Sequence, residues 1–109
     1  MGGREISAGE LHALLIAKTP ETPALLDVRE LWEAEIATLE GATLIPMGEI
    51  LGRVDEIDRT QSTVVFCHHG VRSRQVIAFL ERLGFTNLHN LRGGIDAWSR
   101  EVDVSVAVY

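Results

Sequence analysis

Residues 63–84, TVVFCHHGVRSRQVIAFLERLG, constrain the fold of this chain more than any other stretch. Val64, Val65 and Phe66 form an unbroken apolar run, the pattern of a strand buried on both faces of a parallel sheet. From Ser73 onward, Val76, Ile77, Leu80 and Leu83 recur at helical spacing, and Gly84 supplies a C-terminal stop. A strand joined this closely to a helix is a βα unit of an α/β sheet. The turn between them, Cys67-His68-His69-Gly70-Val71-Arg72, therefore lies beyond the carboxyl end of a strand, where such sheets place their ligands.

That turn suits nucleophilic sulfur chemistry. A thiol at the mouth of a helix meets unpaired backbone N–H groups and the positive end of the helix dipole, and both favour the thiolate. Gly70 lets the backbone curl so that successive N–H groups converge into an anion nest. Arg72 adds a permanent positive charge, and His68 and His69 can add more. No Asp or Glu occurs between Arg59 and Leu80 in an otherwise acidic chain, so the expectation is a sulfur nucleophile in a cationic cradle.

The loop resembles that of the rhodanese family of sulfurtransferases, which often runs Cys-x-x-Gly-x-Arg after a buried strand. Cys67, Gly70 and Arg72 fit, and Ser73 is also usual at its position. Two further blocks carry the resemblance. Asp27-Val28-Arg29-Glu30 matches a common Asp-Val-Arg-Glu, and Gly93-Gly94-Ile95-Asp96-Ala97-Trp98 matches Gly-Gly-Ile-x-Ala-Trp. Gly41, Ala42, Ile45 and Pro46 match part of a fourth, in which Ala37, Thr38 and Glu40 replace the family's glycine, histidine and proline. The tail is similar to a subset ending Val-Asp-Pro-Ser-Val-Pro-x-Tyr, with Val104 and Ala107 in place of the prolines.

The resemblance implies one three-layer α/β/α domain over 1–109, with a five-stranded parallel sheet in the order 3-2-4-5-1 and Cys67 closing strand 4. It implies that Cys67 is the catalytic nucleophile, attacking the outer sulfur of a donor such as thiosulfate and becoming a persulfide that a second nucleophile discharges. The amides of residues 68–72 would hold the persulfide, and residues His68, His69, Gly70, Val71, Arg72 and Ser73 would frame the substrate pocket. For Asp27 and Arg29 two supporting roles stand open. They line the site and tune its charge, or they form an ion-paired bracket that fixes the loop, the reading we favour.

Loop length argues against the nearest rivals, a cysteine phosphatase or arsenate reductase of the same fold. Cysteine phosphatases place five residues between the nucleophile and the arginine that grips phosphate. Four separate Cys67 from Arg72, and Ser73 holds the position phosphate chemistry requires. A metal is not expected, because His68, His69 and Cys67 are consecutive residues, which chelate poorly. No cofactor is implied.

Composition sets the remaining bounds. The 109 residues are 46% hydrophobic and 24% charged, ordinary for one globular domain. A net charge of −6 argues against nucleic-acid and acidic-membrane partners. A single cysteine cannot form an internal disulfide, and no apolar run reaches membrane-spanning length, so the default location is cytoplasmic.

Elsewhere, Arg4 to Ile6 reads as a short strand, and Ser7 with Glu10 as a capping box opening a helix whose buried stripe is Leu11, Leu14 and Leu15. Ala24 to Val28 reads as a buried strand and Glu30 to Ile36 as a short helix. Met47, Ile50, Leu51, Val54 and Ile57 read as an amphipathic helix ending near Asp58, and Phe85 to Leu91 as the fifth strand. Ile95, Trp98 and Val102 share the core face of the last helix. Two functions remain in view. One is an enzyme moving sulfane sulfur to a thiophilic acceptor (cyanide, a thiol or a protein). The other is a sulfur carrier or docking module that works only with protein donors and acceptors.

Overall fold

The computed structural model describes residues 4–109, so residues 1–3 of the predicted domain lie outside the described residues. In chain order the elements are β1 (Arg4–Ile6), α1 (Ala8–Ala17), β2 (Ala24–Asp27), α2 (Leu31–Ile36), β3 (Thr43–Leu44), β4 (Thr63–Phe66), α3 (Val71–Arg82), β5 (Leu88–Leu91) and α4 (Gly94–Glu101). The five strands form one sheet in the order β1-β5-β4-β2-β3, with every pairing parallel. Read from the other edge, this is the expected 3-2-4-5-1.

The apolar run explains why β4 sits near the middle. Side chains alternate across a strand, so Val65 and Cys67 enter one core, and Val64 and Phe66 the other. The first core also holds Leu26, Val28, Ile45, Ile77 and Leu80, and α3 covers it. The second holds Leu11, Leu25, Leu91, Ile95 and Trp98 beneath α1 and α4. Burying each of the three β4 side chains stabilises the fold by about 1.5–3 kcal/mol, which a strand exposed on one face could not gain throughout.

Some local expectations hold and others do not. Ser7 and Glu10 form the reciprocal capping box at α1. Its stripe is narrower than expected: Leu11 is buried and Leu15 half-buried, but Leu14 faces solvent, because the α4 contact takes the line through Ala8 and Leu11. The expected helix over 47–57 is instead two 3₁₀ segments, Met47–Glu49 and Leu51–Glu56. Ile50 and Ile57 are buried, whereas Met47 is exposed and Leu51 is 74% exposed. Gly48 and Gly52 weaken an α-helix here, and Arg53 leaves helical geometry at φ −128° while pairing with Glu49 and Glu56. The fifth strand is shorter than expected, starting at Leu88, with Phe85 buried ahead of it. Among the described residues no helix is long and apolar enough to cross a membrane.

Candidate active site

Cys67 follows the last residue of β4 and is buried, at 1% exposure. Gly70 then adopts φ +105°, a left-handed conformation that glycine takes without strain, and α3 begins at Val71, two residues before the sequence pattern suggested. The helix has no side-chain cap of its own. Its place is taken by the cysteine sulfur: the Gly70 N–H donates to Sγ at 3.1 Å and the Ser73 N–H at 3.4 Å. Sγ thus occupies the position of an N-cap oxygen, facing the first-turn amides that an α-helix leaves unpaired.

Ser73 also brings its hydroxyl to 3.4 Å from Sγ and donates to Oδ1 of Asn90, a wholly buried residue of β5. The Asn90 amide donates in turn to Glu5 Oε2 at 2.8 Å and to the Gly70 carbonyl at 3.4 Å. Asn90 therefore ties the helix start and the turn glycine to the sheet.

Carbonyls on the other side of the turn are held by α4. Ile95 N–H donates to the Cys67 carbonyl at 2.9 Å and Asp96 N–H to that of His68 at 3.1 Å. This approach requires glycine at 94. A Cβ there would fall on the His68 carbonyl oxygen and 2.5 Å from that of Cys67, and φ is +64°.

Asp27 and Arg29 do not reach the sulfur. They form a buried ion pair, Arg29 Nη2 to Asp27 Oδ2 at 2.7 Å and Nε to Oδ1 at 2.9 Å. The other guanidinium N–H groups go to the Ala37 carbonyl at 2.7 Å, the Tyr109 hydroxyl at 2.9 Å and, at longer range, the Glu33 carbonyl. Burial opposes the charge on Arg29, but the bonds to Asp27 and Tyr109 outweigh it and raise its pKa above the ordinary value. Ala37, where the family usually has glycine, sits in extended backbone at φ −159°, so a side chain costs no strain.

Arg72 lies above this pair and is gripped by Glu33 of α2, with Nη1 to Oε1 at 2.6 Å and Nη2 to Oε2 at 2.8 Å. Glu33 accepts further from the Glu30 N–H at 3.1 Å and from the Tyr109 hydroxyl at 2.8 Å. The bidentate bond from Arg72 leads these donors in pulling the Glu33 pKa down to about 2, and Glu33 in turn holds Arg72 above its usual range. The cationic cradle expected from residues 59–80 is therefore charge-balanced by a carboxylate 39 positions earlier in the chain.

The His68 ring lies between His69, at 4.0 Å, and Tyr109, at 3.9 Å and 5° from parallel. Burial first, and His69 second, push its pKa below the ordinary value, so it stays neutral near neutral pH. His69 is exposed, with Nε2 at 3.9 Å from Asp96. His68, His69 and Asp96 bring potential ligand atoms within 4.8 Å of one another. Asp96 already accepts from Arg100 at 3.0 Å. Val71 is exposed at the rim.

Residues 7–101 match the rhodanese-like domain family. The chain belongs to that family. It is 38% identical over 80 residues to a sulfurtransferase of Allochromatium vinosum, covering 73% of this chain and 75% of that one. It is 37% identical over 91 residues to the probable adenylyltransferase/sulfurtransferase MoeZ of Mycobacterium tuberculosis, a match that covers 79% of this chain but 22% of MoeZ. The chain thus spans about a fifth of that longer relative. In structure it superposes on a rhodanese-related protein from Thermoplasma volcanium with a TM-score of 0.83 and 30% identity, over 97% of this chain and 99% of the other.

Three residues of this rhodanese-like site escaped the sequence reading. Asn90 carried only a weak signal, as one of two adjacent polar residues, with His89, between Leu88 and Leu91. Glu33 and Tyr109 carried none, since their partners come from other parts of the chain.

Proposed function

We propose that this domain is a sulfurtransferase in which Cys67 carries sulfane sulfur as a persulfide between a donor and a thiophilic acceptor. The observation that supports this most directly is the placing of Sγ as the N-terminal cap of α3, with the Gly70 and Ser73 amides aimed at it. The Cys67 thiolate attacks the outer sulfur of the donor; the new S–S bond forms as the donor's own bond to that sulfur breaks. With thiosulfate the departing group is sulfite. The outer sulfur then stands about 2 Å beyond Sγ, nearer to an incoming acceptor. His68, His69, Gly70, Val71, Arg72 and Ser73 frame the donor, while Asp27 and Arg29 fix the floor beneath them. Cyanide, a small thiol or a protein thiol discharges the persulfide, and a cytoplasmic setting suits a free thiol.

The test is the intact mass of the reduced protein after a sulfur donor, and again after cyanide. The expected result is a gain of one sulfur that maps to Cys67 and leaves with cyanide. Cys67→Ser should keep the fold, gain no sulfur and form no thiocyanate above background. Thiocyanate formation by that variant at the wild-type rate would end the assignment.

A further inference from the structure

The charges around Cys67 bear on which donor the site accepts. The two guanidiniums packed beneath the loop are each matched by a carboxylate, Arg29 by Asp27 and Arg72 by Glu33. Glu33 is 4% exposed in its side chain and takes four hydrogen bonds, two from Arg72 and one each from Glu30 and Tyr109. Two of the N–H donors of Arg72 are committed to Glu33, and that carboxylate cancels the guanidinium charge an incoming anion would meet. The neighbouring charges add nothing to offset this. His68 is neutral, and Asp96, facing His69, is paired with Arg100. What remains facing the sulfur is uncharged: the amides of Gly70 and Ser73 and the Ser73 hydroxyl.

That inventory does not suit a dianion. Thiosulfate brings two negative charges to a thiolate, and the same two leave on sulfite, so its transfer needs a cation that travels with the departing group. An organic hydropersulfide, R–S–SH, needs none. The Cys67 thiolate attacks its outer sulfur and the bond between the donor sulfurs breaks. The products are the Cys67 hydropersulfide and R–S⁻, which takes up the outer sulfur's proton and leaves as the neutral thiol. Two amides suffice for the single negative charge that remains on the enzyme.

Building on the sulfurtransferase reading, we infer that Glu33 is a specificity-determining residue. By neutralising Arg72 it sets the site for organic hydropersulfide donors, small or protein-borne, and against the thiosulfate dianion. Tyr109 is the positioning residue for that carboxylate, because its hydroxyl bridges Arg29 and Glu33.

The experiment measures the rate of sulfur loading on Cys67 by mass, with thiosulfate and with cysteine hydropersulfide, in wild type and in Glu33→Gln. Removing the countercharge frees Arg72, so the ratio of thiosulfate to hydropersulfide rates should rise on the order of tenfold in the variant. An unchanged ratio, with both donors loading, overturns this inference and leaves the sulfurtransferase reading standing. Loading of Cys67 by neither donor in wild type sinks that reading itself. Because Glu33→Gln could unfold the domain, a second measurement uses the unaltered protein. Raising salt from about 10 mM to about 0.5 M should leave wild-type thiosulfate loading flat or increase it, since no net cation is being screened. A several-fold fall would show a working cationic site and overturn the inference.

Discussion

The loops leaving β2 and β4 start side by side, with Asp27 opposite Phe66 in the sheet register, yet they use their polar groups in opposite ways. After β2, Arg29 directs its guanidinium N–H groups to Asp27, Glu33, Ala37 and Tyr109, so this corner is closed. After β4, two backbone N–H groups are aimed at a sulfur rather than at an oxygen. A sulfur is a weaker acceptor than a carboxylate or carbonyl oxygen, so the N–H groups of this corner are less firmly satisfied than those after β2. Both loops carry recognisable motifs and both stand at the ligand-binding edge of the sheet. The difference is that one motif builds a closed floor and the other aims its donors at a sulfur above it.

That contrast can be broken most severely from the floor. Asp27→Ala leaves the Arg29 guanidinium buried without its countercharge, and should cost about 3–5 kcal/mol of unfolding free energy. Urea denaturation measures it. A loss below about 1 kcal/mol would mean that Arg29 is not held as the structure describes. Cys67→Ser, in contrast, should change stability by less than about 1 kcal/mol while abolishing sulfur loading, so the two loops separate cleanly by readout.

Gly94→Ala tests the wall shared by the Cys67 loop and α4. Its Cβ would meet the Cys67 and His68 carbonyls, and its φ of +64° disfavours a side chain. We expect a loss of about 2–3 kcal/mol and slower sulfur loading in the fraction that folds, because the turn must shift to relieve the contact. Unchanged loading in a stable protein would show that the turn tolerates displacement.

The same contrast explains which parts of the site the sequence made legible. Apolar continuity at Val64-Val65-Phe66 and the glycines at 70 and 94 are local signals with local causes, so β4, its turn and the α4 approach could be read directly. Asp27 and Arg29 are two residues apart, which is why an ion-paired bracket could be anticipated from a short motif. Glu33 reaches Arg72 across 39 positions and Tyr109 reaches Arg29 across 80, and no composition or periodicity encodes such pairings. The 47–57 segment failed for a different reason. Its apolar spacing was helical, but two glycines and the Arg53 ion pairs favoured tighter turns that leave Leu51 outside.

Acid offers a smaller and sharper test, because the floor depends on carboxylates whereas the Cys67 cap uses backbone amides and a serine. Glu33 has its pKa lowered from an ordinary 4.5 to about 2, chiefly by Arg72. A depressed carboxylate contributes stability that is fully present above its unfolded value and is lost as pH falls through the folded one. The contribution of Glu33 should therefore be constant above about pH 5 and disappear between about pH 4.5 and 2, amounting to no more than about 3 kcal/mol. Comparing wild type with Glu33→Gln isolates it, since the other acids titrate in both proteins and cancel. The difference between their unfolding free energies should shrink steadily across that window. Parallel curves would mean that the Glu33–Arg72 pair does not form in solution. Arg72 would then be free to act as the cation that residues 59–80 first suggested, and the β4 loop would bind anions with a side chain as well as with its amides.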